Sequence, residues 1–206
     1  MNFSDLINKR RACHHFVPGV EIPDEHFKKM IEETSLTPSG YNAQPWEFVI
    51  VKKQENIVKI HEIAFHQPHV KDASAMVVVL GDMEIGRNVE QTIQDWIKNG
   101  YLKAEDEQAF RNSMAKNRKP EKKREMAIRN AMLAAMTFIY SAENIGYATC
   151  PMMGFSQWKL EEFLEIPEDR CIALLIAIGK ADEDKQKPRL PRKTAEEMMH
   201  FEKFST

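Results

Sequence analysis

The sequence predicts one domain that contains both α-helices and β-strands. Its 206 residues are enough for a substantial core in a domain of ordinary size, although two small domains also fit this length. Several segments repeat apolar residues at helical spacing, and three shorter runs are apolar almost throughout, as is typical of buried strands. We therefore expect residues 1–206 to fold as a single mixed domain.

The elements follow from these apolar patterns in chain order. Helical spacing predicts helices over 3–11, 23–35, 54–65, 85–100, 125–145 and 157–164. Apolar runs predict strands over 48–51, 73–80 and 171–178. The strand over 73–80 is apolar enough to be buried on both faces. The segment 66–69, which contains Pro68, should break the third helix, and the segment 148–155 should form an apolar turn.

The first and the longest of these helices have distinctive apolar faces. The first should begin at Ser4 as its N-cap and bury Leu6 and Ile7. The helix over 125–145 is apolar nearly all round its circumference and should be capped by Gly146. A helix of that kind belongs in the middle of a core or in a dimer interface.

Composition gives no reason to expect nucleic acid or a membrane as a partner. The 29 basic and 31 acidic residues leave a net charge of -2. The basic run over 116–124 carries no aromatic residue for stacking on bases. No window approaches the roughly 18 uninterrupted apolar residues of a membrane span, and the N-terminus lacks the pattern of a secretion signal. We expect a cytoplasmic protein without a membrane segment.

The cysteines and histidines show no pattern of a metal site. The three cysteines are Cys13, Cys150 and Cys171. They form no CxxC pair, so neither a disulfide framework nor a thiolate metal site is predicted. His61, His66 and His69 lie close in sequence, but Pro68 interrupts their spacing and no HExxH motif occurs. We expect no bound metal.

The stretch over 37–51 combines small polar residues, two prolines and a glycine, and it runs directly into a strand. Ser39, Asn42 and Gln44 supply donors and acceptors, and Gly40 permits a backbone conformation closed to other residues. This composition suits a loop that holds a polar planar ligand. An ordinary connection between helix and strand explains it equally well.

Two basic segments lie near the two ends of the chain. Arg10 and Arg11 end the first helix and His14 follows them, so they form either an anion-binding fork or a solvated helix end. The segment 185–193 carries cations on a backbone stiffened by prolines, which suits a phosphate better than a flexible segment does. No GxGxxG or GxxxxGK[ST] motif occurs, so the common nucleotide loops are absent.

Four separated segments together resemble the FMN-dependent nitroreductase family along essentially the full chain. The specific segment is PSGYNAQPWEFVIV over 38–51, which closely matches the family motif PSSxNxQPW followed by a strand. RRACHHF over 10–16 resembles the opening RRSxRxF pattern. CPMMGF over 150–155 resembles the family's proline-glycine turn, and KPRLPRK over 187–193 resembles its closing basic tail. Their order and separations identify the chain as a member of this family.

The resemblance implies an α+β fold of the nitroreductase type, with a mostly antiparallel central sheet flanked by helices. It also implies an intertwined homodimer with two FMN sites, each built from both chains, in which the C-terminal extension crosses to the partner. The implied activity transfers a hydride from NADH or NADPH to FMN. A nitroaromatic, quinone or similar acceptor then takes two electrons in a ping-pong reaction. No side chain is expected to act as a nucleophile or an obligatory general acid.

The resemblance also assigns cofactor contacts residue by residue. One chain would contribute the N-terminal contacts Arg10, Arg11, Ala12 and His14. The other chain would surround the ring and ribityl with Pro38, Ser39, Gly40, Asn42 and Gln44. The pyrimidine edge would face His66, Gln67 and His69. The ring would be covered by Pro151, Met152, Met153 and Gly154, with a backbone N–H at or next to the glycine directed at N5. The phosphate would be held by Lys187, Arg189 and Arg192.

Five positions depart from the family pattern. Ala12 replaces a serine, and Met153 stands where some relatives have a glutamate. His14 replaces a basic residue, so its contact would depend on pH near neutrality. His66 and His69 replace an asparagine and a lysine, which leaves open how charge at the N1/O2 edge of reduced flavin is stabilised.

Two other function classes are compatible with the sequence. The chain could bind flavin without NAD(P)H turnover, as a carrier, a flavin-fragmenting enzyme or a dehalogenase-like relative. Met153 and the polar segment 83–124, which could cover the ring, favour this alternative. The chain could also be an interaction protein without flavin, whose basic segments lie only at the surface.

Overall fold

Helices surround a central antiparallel sheet in this protein, whose computed structural model describes residues 1–87, 89–114 and 118–204. Its helices are α1 Phe3–Lys9, α2 Asp24–Thr34, α3 Gln54–Ile63, α4 Pro68–Lys71, α5 Val89–Lys98, α6 Glu107–Met114, α7 Pro120–Asn144 and α8 Gln157–Phe163. Its strands are β1 Trp46–Val51, β2 Ala75–Asp82, β3 Ala148–Met152 and β4 Arg170–Gly179. They pair antiparallel in the order β1-β2-β4-β3, which confirms the predicted α+β class and antiparallel sheet.

Strand β2 lies in the interior of the sheet and is buried at every residue, as predicted. Met76 and Val78 belong to one core, whereas Val77 and Val79 belong to another. Successive side chains of a strand point to opposite faces, so the two cores lie on opposite sides of the sheet. The first core includes residues of α3, α4 and α8, and the second includes residues of α2 and α7.

Helix α7 packs through small residues onto β2. Its buried alanines are Ala127, Ala131, Ala134, Ala135 and Ala142. A Cβ added to Gly81 would lie 2.8 Å from the backbone of Ala127, so glycine is required for this close approach. The same packing directs Asn130 at the loop before β1, where its Oδ1 accepts a hydrogen bond from the Gly40 N–H at 2.9 Å.

The helix ends differ in part from the prediction. Asn2 rather than Ser4 caps α1, because its Oδ1 accepts from the Asp5 N–H at 2.9 Å. The prediction that Leu6 and Ile7 would be buried is wrong, since α1 buries no residue within the chain. Helix α7 begins at a proline rather than at residue 125, and proline is well tolerated in a first helical turn. Gly146, with φ of 87°, confirms the predicted helix cap.

The segment predicted as a turn over 148–155 instead contains strand β3. Pro151 is tolerated there because β3 is an edge strand, where one side of the backbone has no neighbouring strand. The turn is confined to the following residues, where the Phe155 N–H donates to the Met153 carbonyl at 3.1 Å. Helices α4 and α6 were also not predicted.

Two features of the structure relate to the predictions about nucleic acid and membranes, namely the basic run over 116–124 and the length and apolar character of the helices. Residues 118–124 of the basic run precede and begin α7, whereas 116 and 117 lie outside the described residues. No helix in the described ranges combines the length and the apolar character needed to cross a bilayer.

A cluster of ion pairs fixes the chain where it leaves β2. The buried Asp82 carboxylate accepts a hydrogen bond from Arg87 Nε at 2.6 Å and lies 3.3 Å from Arg170 Nη1. Arg170 also donates to both carboxylate oxygens of Glu47, at 2.9 and 3.0 Å. Charge-assisted hydrogen bonds of this kind satisfy a buried carboxylate, so they hold the 82–87 segment against β1 and β4.

Gly81→Ala should lower the free energy of unfolding by about 1–3 kcal/mol, because the added Cβ must push α7 away from β2. Urea unfolding measures this change. Gly86→Ala is the matched control, because its Cβ would meet nothing nearer than 3.8 Å, and its effect should stay within about 0.5 kcal/mol. Equal stability of both variants would contradict this account of the helix packing.

Candidate functional site

The two basic segments from opposite ends of the chain meet beside β3. Ala12 forms a parallel bridge with Thr149, and the Cys13 N–H donates to the Thr149 carbonyl at 2.9 Å. From the C-terminal side, the Gln186 side chain donates to the His15 carbonyl at 2.8 Å. These contacts fix both basic segments by hydrogen bonds to main-chain carbonyls.

Arg189 holds the C-terminal segment against the end of α1. Its Nη2 donates to the carbonyls of Ile7, Asn8 and Arg10 at 3.1, 3.0 and 2.5 Å. The last carbonyls of a helix lack partners within the helix, so a guanidinium can satisfy them. The contact places Arg189 at the wall of a cavity between the two segments.

This cavity has a volume of about 540 Å³, which lies within the usual range for small-molecule sites. It is lined by Arg11, Ala12, His14, His15, Gln186, Lys187, Pro188, Arg189, Leu190 and Arg192. Four of these residues are permanent cations at neutral pH, and none is a carboxylate. The lining therefore suits an anion such as a phosphate group.

A pair of imidazoles lies at one side of the cavity. His14 contacts His69 edge to face, with ring centroids 5.2 Å apart. His69 is 6% exposed, and its Nε2 has no hydrogen-bond partner within the described ranges. Burial, together with His14 and His15, lowers the pKa of His69 and so keeps this imidazole neutral at pH 7. A buried nitrogen without a partner is rare in proteins, so Nε2 is an unsatisfied polar atom close to the cavity wall.

Cys150 lies behind the imidazole pair, with its Sγ 3.9 Å from His14 Nδ1. Burial raises the pKa of the Cys150 thiol to about 11, so the thiol stays protonated at neutral pH. Potential ligand atoms of His14, His69 and Cys150 lie within 4.8 Å of one another and could hold a metal ion. Metal binding requires the thiolate, which this pKa disfavours, and the expected absence of a metal stays a prediction.

The segment 66–69 lies beside the turn that follows β3. Gln67 Nε2 donates to the Gly154 carbonyl at 2.5 Å, and a Cβ on Gly154 would lie 3.1 Å from that nitrogen. Met153 is 81% exposed, whereas Met152 packs into the first core. Of these two methionines, only Met153 therefore presents its side chain to a ligand at the surface.

The loop over 38–44 has a tightly specified backbone. Left-handed φ angles occur at Tyr41 (59°), Asn42 (51°) and Gln44 (46°). Such angles are uncommon for residues other than glycine, and hydrogen bonds hold them here. Ser39 Oγ accepts from the Gln44 N–H at 2.9 Å, and the Gly40 N–H bonds to Asn130. Backbone strain of this kind often marks a ligand-binding segment.

The structure brings part of the predicted site together within one chain. The predicted contacts that line the cavity are Arg11, Ala12, His14, Lys187, Arg189 and Arg192. His69 adjoins them through His14, and Gln67 links its segment to the turn at Gly154. The Arg10 side chain and the loop over 38–44 do not line this cavity.

Three functional neighbours were not predicted from the sequence. Asn130 anchors the loop over 38–44, and a lone amide among the buried alanines of α7 was a usable signal for it. Gln186 joins the tail to the N-terminal segment, and Cys150 contacts the imidazole pair. Neither role has a local sequence signal, because both depend on contacts between distant parts of the chain.

Comparison with known proteins agrees with the fold. The profile described as "Nitroreductase family" matches residues 7–180, which is most of the chain. The chain belongs to the nitroreductase family. Its resemblance to that family is thereby confirmed.

Three relatives of this nitroreductase-family chain extend the match to nearly its full length. "Putative NAD(P)H nitroreductase MhqN" of Bacillus subtilis is 33% identical over 202 residues, covering 97% of this chain and 98% of the relative. The crystal structure of "putative nitroreductase ydfN" from Bacillus subtilis has a TM-score of 0.91 at 32% identity and covers 97% of this chain and 98% of that one. A "putative nitroreductase in complex with FMN" from Exiguobacterium sibiricum has a TM-score of 0.86 at 25% identity, covering 98% and 97%.

The cysteines of this nitroreductase-family chain should be unreactive while it is folded. All three are free and buried, and burial raises the pKa of each thiol. DTNB at pH 7 should therefore label no thiol rapidly in the native protein and should label three after unfolding in guanidinium chloride. A thiol that reacts rapidly in the native protein would contradict the assigned burial.

Proposed function

We propose that this protein is a cytoplasmic homodimer that binds FMN and uses NADH or NADPH to reduce nitroaromatics, quinones or similar acceptors. Each acceptor would take two electrons in a ping-pong reaction. The observation that carries the proposal is the cavity in which four cations from both chain ends lie close to the buried His69, whose Nε2 has no hydrogen-bond partner among the described residues. The family and its named NAD(P)H nitroreductases support the coarser statement, an NAD(P)H-dependent flavin oxidoreductase. The three free thiols fit a reducing compartment.

The residues around the cavity fit FMN. Arg11, Lys187 and Arg189 offer charge-assisted hydrogen bonds to a phosphate, which carries a charge between about -1.5 and -2 at neutral pH. The unpartnered Nε2 of His69 suits a polar edge of the flavin ring. Gly154 leaves room for the Gln67 side chain, since a Cβ there would lie 3.1 Å from Gln67 Nε2. When bound, FMN accepts a hydride from the nicotinamide and supplies two electrons to the acceptor.

The side chains of this site would bind and orient the cofactor, and none of them would attack the substrate. The cations fix the phosphate, and the hydrogen bond from Gln67 to the Gly154 carbonyl fixes the turn that would cover the ring. Met153, which is largely exposed, would border the space in which nicotinamide and acceptor stack. The chemistry requires no protein nucleophile, because the cofactor carries the electrons.

A second copy of the chain would complete this site. The loop over 38–44 is held rigidly but does not border the cavity of its own chain. Large apolar side chains are exposed along the C-terminal tail, namely Leu190, Met198, Met199, Phe201 and Phe204. On the body of the chain, Phe3, Met132 and Leu133 are exposed as well. Exposed apolar groups of this number are characteristic of an interface, and a partner that receives the tail would bury them.

The visible spectrum of the purified protein, recorded without oxygen, tests the proposed function. We expect a flavin spectrum that bleaches on addition of NADH or NADPH and returns when a quinone or nitroaromatic is added. A flavin spectrum that does not bleach would favour a flavin carrier or a specialised flavin chemistry such as fragmentation or dehalogenation. A protein that stays colourless after addition of FMN would contradict the cofactor assignment.

Arg189→Ala and Arg11→Ala should each weaken FMN binding by about 1.5–3 kcal/mol, because both side chains line the cavity that would hold the phosphate. Isothermal titration of the flavin-free variants with FMN measures the loss. Lys103→Ala is the control for net charge, because this lysine lies outside the cavity, its side chain is 78% exposed, and it pairs with Glu105. Its affinity should equal that of the unaltered protein. Unchanged affinity in both arginine variants would refute the phosphate contacts.

A further inference from the structure

Folding brings together three possible metal ligands that lie far apart in the sequence. Ligand atoms of His14, His69 and Cys150 all lie within 4.8 Å of one another. We propose that these three side chains form a binding site for one Zn²⁺ ion per chain. The proposal departs from the expectation of no metal, which was drawn from patterns of neighbouring residues, and it does not depend on the proposed function.

The spacing of the three ligand atoms is close to that of a tetrahedral zinc site. Bonds of about 2.0–2.1 Å to nitrogen and about 2.3 Å to sulfur place neighbouring ligand atoms roughly 3.3–3.6 Å apart at tetrahedral angles. Cys150 Sγ lies 3.9 Å from His14 Nδ1, and no separation in the group exceeds 4.8 Å. Small rotations of these side chains would therefore close the group around an ion.

His69 contributes a buried nitrogen that needs a partner. The residue is buried, and its Nε2 has no hydrogen-bond partner within the described ranges. Buried polar atoms normally have a partner, and imidazole nitrogens are common zinc ligands. Coordination through Nε2 would supply the partner that this atom lacks.

Three separate segments hold the ligands in place. Cys150 lies on β3, which pairs with β4, and His69 lies on α4. The segment of His14 is fixed beside β3, because the Cys13 N–H donates to the Thr149 carbonyl at 2.9 Å. The folded backbone therefore sets the positions of all three ligands before an ion binds.

Burial leaves the site open on one side. His69 and Cys150 are buried, whereas His14 is exposed and lines the cavity. An ion can therefore enter from the cavity. With three protein ligands, Zn²⁺ keeps a fourth position for water or an anion, as in catalytic rather than structural zinc sites.

Two features of the site oppose cation binding and lower the affinity that we expect. Burial raises the pKa of the Cys150 thiol to about 11, so the ion must displace the thiol proton into water. A metal ion deprotonates a coordinating thiol outright. The cations of the cavity wall repel an ion, but Arg11, Arg189 and Arg192 direct N–H groups to backbone carbonyls. The Cys150 thiolate would also neutralise one of the two charges of Zn²⁺.

Titration of the full-length protein with Co²⁺ and then Zn²⁺ tests the proposal. It is performed on the protein as purified and again after removal of any bound flavin. Four-coordinate Co²⁺ bound to a thiolate gives a charge-transfer band in the near ultraviolet and strong visible bands, recorded as difference spectra. We expect these bands to reach full intensity at one Co²⁺ per chain in at least one of the two states and to disappear when Zn²⁺ displaces it.

Cys150→Ser and His69→Gln should each weaken Zn²⁺ binding by about 100-fold or more, because each removes a direct ligand and loss of an outer partner alone costs about 10–100-fold. Competition with a chromophoric chelator measures the affinity. Cys171→Ser and His61→Gln are the matched controls, since Cys171 is a buried free thiol on β4 and His61 lies on α3. Both controls should keep the affinity of the unaltered protein.

The midpoint of urea unfolding gives a second measurement, which also shows whether each variant folds. An ion that binds the native state raises this midpoint. Zn²⁺ should therefore raise it in the unaltered protein and in Cys171→Ser, but not in Cys150→Ser.

Absence of the thiolate band both with and without flavin would overturn the proposal. An octahedral cobalt spectrum, or equal affinity in Cys150→Ser and the unaltered protein, would overturn it as well, since either result would mean adventitious binding only. An equal loss of affinity in Cys171→Ser would contradict the assigned ligands. These measurements report metal binding alone, so failure of this proposal would leave the proposed function unaffected.

Discussion

Burial of β2 on both faces is the constraint that determines where function can reside in this fold. Met76 and Val78 fill one core and Val77 and Val79 fill the other, so both sides of the sheet are covered by helices. A strand in that position must pair its backbone groups within the sheet and offers no polar side chain to a ligand. The polar groups that could serve a ligand therefore lie at the margins of the sheet. There Asp82 forms ion pairs at the end of β2, and β3 forms an edge strand.

The edge of β3 explains why cations from both chain ends converge. An uncovered edge strand exposes backbone donors and acceptors that would pair with other chains. Ala12 and Cys13 cover part of this edge through their contacts with Thr149, and this fixes the basic segment that surrounds them. Arg189 then attaches the tail to the end of α1 by three carbonyl contacts. The positive cavity thus follows from two sets of backbone hydrogen bonds, one along the edge of β3 and one to the last carbonyls of α1.

The sequence predicted those features of the structure that depend on neighbouring residues alone. The two-faced burial of β2 and the cap at Gly146 follow from apolar runs and backbone freedom, and both are confirmed. The strand β3 was mistaken for a turn because Pro151 and the following glycine are turn signals, and only its edge position makes the proline acceptable. The contact between His14 and His69 joins segments far apart in the chain, so no local pattern could reveal it.

The unsatisfied polar atoms of the folded chain connect its stability to its ligand. Within the described ranges, buried side-chain atoms without partners include His69 Nε2 and Thr149 Oγ1, and both residues contact members of the cavity wall, His14 and Ala12. Each buried polar group left without a partner costs about 1–3 kcal/mol. A folded protein can keep such a buried group where a bound molecule supplies the missing hydrogen bond. A ligand that bonds His69 would therefore favour the folded state by mass action as well as occupy the site. The cavity cations act in the same direction, because a bound anion would reduce their mutual repulsion.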